Sequence, residues 1–300
     1  MSANTTAPAA EAVPLTAPRR MWKSGPRVRS TSFTFGAGIV IASLLVIVAV
    51  TAPLLGLQDP RTTNLLARML PPGSEGHLLG TDQLGRDILA RTVAGAQWSL
   101  GIGLTAMSIG LVLGTAIGIG AAWARRWLST VLSRMIDVGM SFPYLVIAIT
   151  IIAVLGRSFW TLALTLGLVC WPPVSRVLFA ETLGLREREF VVAAKLVGLK
   201  PVWVIATHVL PALRPTIFVM AAFIFAEMMI SESGMSFLGL GAPLGDPTWG
   251  NALSESRAYL AVAPWMMLVP AGAIVLAVIS ANFIGDGLTA RSAKHGTRAS

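Results

Sequence analysis

One cysteine and three histidines among 300 residues, with only 12% of side chains charged, set the first limits on this chain. A lone Cys170 can form neither an internal disulfide nor a cysteine metal cluster. His77, His208 and His295 lie far apart, without the His-Glu-x-x-His spacing of a metal hydrolase. No Gly-x-x-x-x-Gly-Lys-Ser/Thr phosphate loop occurs, so the chain has no means of its own to bind and cleave ATP in the usual way. A nucleophile elbow is missing as well. These absences leave no catalytic residues and no metal ligands to nominate.

What the chain has in abundance is apolar surface: 54% hydrophobic residues and a mean hydropathy of +0.72. Soluble domains carry about a quarter charged residues, so this composition belongs in a bilayer. Runs without a charged side chain cover 30–58, 92–124, 138–156, 158–175 and 258–285, each close to or above the ~20 residues a spanning helix needs. A further run from Pro215 is interrupted at Glu227; carried on to Ser231 it reaches about 25 Å at ~1.5 Å per residue, just enough to span. Six spans are expected, in an all-α polytopic membrane protein.

Positive charge collects on cytoplasmic flanks. With the N-terminus inside, only Arg61, Arg68, Arg86, Arg91, Arg157 and Arg257 of the 23 basic residues fall outside, so both termini and the segment 181–215 are expected to be cytoplasmic. The net charge of +9 is thus accounted for by flanking residues, with no contiguous basic face for nucleic acid. Residues 1–34, rich in Ala, Thr, Pro and Ser, read as a disordered cytoplasmic tail, and 289–300 as a C-terminal one. The apolar run after Arg29 is too long for the core of a secretory signal and is expected to remain as the first span.

Segment 181–215 is a charged insert in this apolar chain. Phe190 to Val197 reads as a short helix on which Ala193 and Ala194 let another surface approach closely. Gly198 stops it, and Pro201 opens a second helix that Pro211 is expected to break. On the residues alone the segment is either a docking device or an ordinary solvated loop.

Two outer segments stand out. In the first, 58–97, the run Gly80-Thr81-Asp82-Gln83-Leu84-Gly85-Arg86-Asp87 makes a polar turn whose Asp82, Arg86 and Asp87 are near enough to pair, as a structural clamp or as part of an outer surface. In the second, 232–263, Ser236, Phe237, Leu238, Gly239 and Trp249 combine tight turns with an apolar face that can seal a pore mouth or receive a partner.

Charges within spans are costly and mark pathways or partners. Glu227 is therefore a candidate pathway residue, or else a carboxyl satisfied near the outer interface; Glu232 joins it as the second candidate. Arg134 and Asp137 are spaced to pair on one helix face. Ser141-Phe142-Pro143 predicts a kink and Trp171-Pro172-Pro173 a break. Gly110, Gly114 and Gly118 form a stripe suited to close helix packing, within the chain or against a sister subunit.

The spacing Ala193-Ala194, Gly198, Leu210-Pro211 resembles the cytoplasmic coupling loop of ABC importer permeases, with Val192 in place of the usual Glu and His208 in place of an Ile. Together with Gly-Thr-Asp-x-x-Gly-Arg-Asp, Ser-Phe-Leu-Gly-Leu-Gly and Pro-x-Trp-Gly, it looks like the C-type subunit of the peptide/nickel branch over about residues 35–288. Gln97 stands where that branch often has Arg, and Glu227 has no recognised counterpart.

The resemblance implies a type I permease fold and a translocation subunit for di- or oligopeptides. It implies a homologous permease chain as heterodimer partner, ABC ATPase subunits that hold ATP and Mg, and an extracytoplasmic substrate-binding protein. Phe190, Val191, Val192, Ala193, Ala194, Gly198, Leu210 and Pro211 would form the ATPase-coupling loop. An ion-coupled secondary transporter is the competing reading; it calls for paired intramembrane carboxylates, where only Glu227 lies deep.

Overall fold

The computed structural model describes residues 31–243 and 245–296. Regular structure among these is helical, apart from two isolated bridges. Besides short 3-10 turns, ten helices order the described residues: α1 Thr31–Thr51, α2 Ile88–Trp123, α3 Arg126–Ser141, α4 Tyr144–Leu155, α5 Phe159–Val169, α6 Trp171–Arg186, α7 Glu189–Leu196, α8 Pro201–Phe237, α9 Trp249–Ser256 and α10 Trp265–Gly296.

Five continuous helical stretches are long and apolar enough to cross a bilayer: α1, α2, α5 with α6, α8 and α10. A sixth crossing is reached if the pair α3 and α4, bent by 81° at Phe142-Pro143, is one span. Pro143 has no N–H to continue the ladder, and α4 alone, 12 residues or about 18 Å at ~1.5 Å per residue, falls short of the ~30 Å hydrocarbon. The kink expected there is a full break. At Trp171-Pro172-Pro173 the opposite holds: the two prolines sit in the first turn of α6, where a missing donor costs nothing, and α5 and α6 run on as one span of 28 residues.

The expected break at Pro211 does not occur. A π-helical turn over Ile205–Val209 precedes it, and the Leu210 N–H bonds back to the Ile205 carbonyl, re-pairing backbone around the proline. The helix continues through Pro211 and Pro215, so the fifth span is 37 residues long instead of the 17 read from 215–231. Phe190–Val197 and Gly198 behave as expected: α7 ends at Leu196, and Gly198 adopts φ +82.

Segment boundaries shift accordingly. Helix α1 already includes 31–34 of the expected N-terminal tail, the rest of which lies outside the described residues; α10 carries on to Gly296, and 297–300 also lie outside. α2 begins inside the outer segment 58–97, and α8 extends through Phe237 into 232–263.

The centre is α2 laid along α6. A Cβ on Gly114 would sit 2.4 Å from the Val174 Cβ, and one on Gly118 2.7 Å from the Ser175 carbonyl; a Cβ on Gly110 would meet Cys170 Sγ. The Ser175 hydroxyl donates to the Gly114 carbonyl at 3.0 Å. The glycine stripe thus serves packing within this chain. Around it, Ile102, Ile152, Leu162, Leu166, Val174, Leu178, Leu213 and Met228 fill the core, while α10 packs on α1 and α8.

Candidate functional site

Beyond the ends of α2 and α6, helix α7 is fastened to both. The Lys195 ammonium sits 4.9 Å from the centre of the Trp123 ring, and Arg186 Cζ lies 5.4 Å from the same ring. Arg186 also donates to the Ala122 carbonyl, and Lys195 Nζ to the Arg186 carbonyl at 3.5 Å. Val191 (0% exposed) and Ala194 turn inward onto the core. The other side of the loop is open and apolar: Phe190, Val192, Leu196 (83%), Val197 (80%), Val202 and Trp203 are exposed. His208 stacks on Phe190 with centroids 6.3 Å apart and interplanar angle 21°. Ala193 and Gly198 lie at the surface, Leu210 is partly open and Pro211 sits inside α8, just after its π turn.

The residues named for the coupling loop do not all face outward. Val191 packs into the core, so outward apolar contact from this loop falls to Phe190, Val192, Leu196, Val197 and Trp203. Trp123, Arg186 and Lys195, which anchor the loop, went unread because nothing in their local spacing brings Trp123 near positions some 60 and 70 residues further on.

At the opposite end, the Gly80–Asp87 run folds back on itself. Gly80 (φ +80) and Gly85 (φ +72) take left-handed conformations, with no room for a Cβ against the carbonyls of Leu70 and Asn64. The Thr81 hydroxyl donates to the Ala67 carbonyl and accepts from the Leu70 N–H at 2.8 Å. Asp82 accepts from the backbone N–H of Leu84 at 2.8 Å and Arg86 at 2.9 Å, and pairs with Arg86 Nε at 2.6 Å.

Asp87 does not join that pair. It caps α2, accepting from the Ala90 N–H at 2.7 Å, and its other oxygen meets His77 Nδ1 at 2.9 Å. In its stead Arg91 bridges Asp82 and Glu255, the latter at 2.9 Å, and Arg86 also reaches Glu255. Burial pushes the Glu255 carboxyl up, but Arg91 and Arg86 outweigh it and hold the group below its ordinary range. The motif is a clamp tying the start of α2 to α9. Arg91 was within reach of sequence spacing; Glu255, 164 residues away, was not.

Glu232 is fully buried (0% exposed) on α8 and is caged by hydroxyls: Ser236 donates to one oxygen at 2.9 Å, Ser233 lies 3.4 Å from the other, and Ser99 and Thr248 face it. It lines no open passage here. Ser236 and Trp249 (1% each) are likewise internal, not at an outer surface. The Trp249 indole fills the space beside Gly95 and donates to the Thr92 carbonyl at 2.8 Å; its backbone N–H donates to Ser99 at 3.1 Å. Of the five residues expected at an outer gate, Leu238 is exposed, while Phe237 and Gly239 are half-buried, with Arg257 stacked 5.3 Å from the Phe237 ring.

Glu227 is half-buried and lines a cavity of about 110 Å³ with Gly139, Phe142, Tyr144, Cys170 and Pro172. The Tyr144 hydroxyl and Ser231 Oγ are 2.8 Å apart, and Ser231 donates to the Glu227 carbonyl at 2.7 Å. The expected Arg134–Asp137 pair forms at 3.6 Å, and Arg176 of α6 also pairs with Asp137.

Known proteins are similar over most of this length. The family model described as binding-protein-dependent transport system inner membrane component matches residues 114–294. A protein of Brucella suis named as a candidate peptide transport system permease is 40% identical over 255 residues, 85% of this chain and 86% of that protein. The dipeptide transport system permease of Alkalihalophilus pseudofirmus is 38% identical over 251 residues, 84% of this chain and 82% of the other. A candidate peptide permease of Brucella ovis is 36% identical over 253 residues, with 84% and 83% covered.

Proposed function

This chain belongs to the family of binding-protein-dependent transport system inner membrane components, and from that membership we propose that it forms half of the translocation pathway of an ATP-driven importer of di- or oligopeptides. It is a multi-pass permease subunit of an ABC transporter. A homologous permease completes the pathway as a heterodimer, an extracytoplasmic binding protein delivers cargo, and ABC ATPase subunits holding ATP and Mg drive the cycle. Both termini and α7 face the cytoplasm, in keeping with the distribution of Lys and Arg.

The observation that carries this reading is the construction of α7. Its inner face is locked by Val191, Ala194 and the Trp123 contacts, while its outer face leaves an apolar patch that none of the described residues covers. A patch of that kind fits a groove on a partner. ATP-driven closure of the motor subunits would move α7, and the cation–aromatic junction would pass that motion to α2 and α6. The energy transmitted is bounded by the motor's difference in affinity for the two states.

Gly198 provides the test. No neighbour lies within 4 Å of its missing Cβ, so a side chain there meets no clash, only the left-handed backbone, which costs roughly 1–2 kcal/mol in a residue other than glycine. Gly198→Leu is expected to leave the complex in the membrane, lower ATP-driven dipeptide uptake at least about tenfold and separate hydrolysis from transport; Gly198→Asn, which tolerates that conformation, retains most uptake. Normal uptake by Gly198→Leu would end the docking role.

A further inference from the structure

The cavity at Glu227 differs in character from the larger one nearby. A space of about 260 Å³ between α1, α2, α8 and α10 is lined by residues such as Leu45, Leu104, Phe218 and Ile284, with Ser280 as its one hydroxyl. The Glu227 cavity brings a carboxylate together with the Tyr144 phenol, where the α3–α4 break meets the α5–α6 junction. Its volume of about 110 Å³ accommodates several water-sized groups.

The surroundings are rich in acceptors. Pro143, Pro172 and Pro173 have no N–H to return to the carbonyls of Gly139, Leu168 and Val169, and two of these three residues line the cavity. Among the described residues no Lys, Arg or His makes an ion pair with Glu227; the nearest basic residue on α6, Arg176, is engaged by Asp137. A carboxylate at membrane depth beside freed carbonyls, with no ion-pair partner among the described residues, is matched by a cation from outside.

We infer that Glu227, the α3–α4 break and the α5–α6 junction form a transient subsite for a primary ammonium of the cargo, the amino terminus of the peptide being the group that enters. This rests on the reading of the chain as a peptide permease and adds the chemical feature it selects. The ammonium would hydrogen-bond the Glu227 carboxylate. The hydroxyl of Tyr144, already paired with Ser231, holds the wall of the site. An occupant held by one charged contact binds weakly enough to leave, as passage requires.

The test uses the complete complex in proteoliposomes with its binding protein, and as cargo the dipeptide alanyl-photoleucine, whose diazirine reports its neighbours on illumination. Wild type is expected to import it with ATP and to crosslink within 139–144 or 169–173. Glu227→Gln should lower both that crosslink and the maximal uptake rate at least about tenfold, the worth of one hydrogen bond to a charged group, with KM unchanged because the binding protein sets it. Glu227→Asp should restore most of both. Crosslinks that map elsewhere, or that persist unchanged in Glu227→Gln while ATP-driven uptake continues, would overturn the subsite and leave the transport function standing. Wild type without ATP-dependent uptake would overturn the transport function itself.

Discussion

The ammonium of Lys195 lies 4.9 Å from the centre of the Trp123 ring, joining the short helix α7 to the end of a helix that crosses the whole bundle. Lys195 is exposed and Arg186 shares the same ring, so the indole collects two cations at one junction. Contacts of this kind contribute about 0.5–2 kcal/mol each, depending on how far they are desolvated.

Trp123→Ala removes both contacts and leaves the membrane-spanning core in place. Uptake is expected to fall several-fold while the complex still assembles, and binding-protein-stimulated ATP hydrolysis is expected to fall less than uptake. Trp123→Phe, which keeps an aromatic face, should recover most of the loss. Measuring hydrolysis and uptake on the same proteoliposomes checks this, and equal loss of both would point to a purely structural role for the ring.

The Glu255 cluster carries a pH dependence of definite sign. Its carboxyl is held below its ordinary range in the folded protein by Arg91 and Arg86, so the stability it contributes is present above the ordinary carboxylate range and is lost as pH falls towards the lowered value. Thermal unfolding in detergent between pH 7 and pH 4 should therefore show a steeper decline for wild type than for Glu255→Gln. At pH 7 that variant should be less stable by about 1–3 kcal/mol, because it leaves two buried guanidinium groups short of an acceptor.

Gly114 tests the seam between α2 and α6. A Cβ there would stand 2.4 Å from Val174 Cβ, and the Ser175 hydroxyl bonds to the Gly114 carbonyl, so the helices cannot part without breaking that bond. Gly114→Val should cost about 1–3 kcal/mol or more and lower the yield of folded protein in membranes. Gly120→Ala, on the same helix with nothing within 4 Å of its Cβ position, should be tolerated.

Most spans were legible because a bilayer demands charge-free runs, and α1, α2 and α10 follow theirs closely. α8 was not, since Arg214, Pro211 and Pro215 read as a boundary. The π turn before Pro211 and the long reach of the helix absorb all three, and that compensation has no marker in the local sequence. The clamp was half legible: Asp82 and Arg86 are four residues apart, whereas His77 and Glu255 reach their partners only through the fold. Glu232 shows the limit most clearly. A carboxyl on an apolar helix suggests a passage, yet hydroxyls brought in from α2, α8 and the segment before α9 enclose it completely.

The unbroken run from Pro201 to Phe237 spans about 55 Å at ~1.5 Å per residue, well beyond the ~30 Å hydrocarbon. One helix therefore begins next to the exposed patch around Trp203, passes Glu227 and carries the enclosed carboxyl of Glu232 near its other end. The exposed patch, the Glu227 cavity and the enclosed Glu232 thus share one helical backbone, with no loop between them to absorb a displacement.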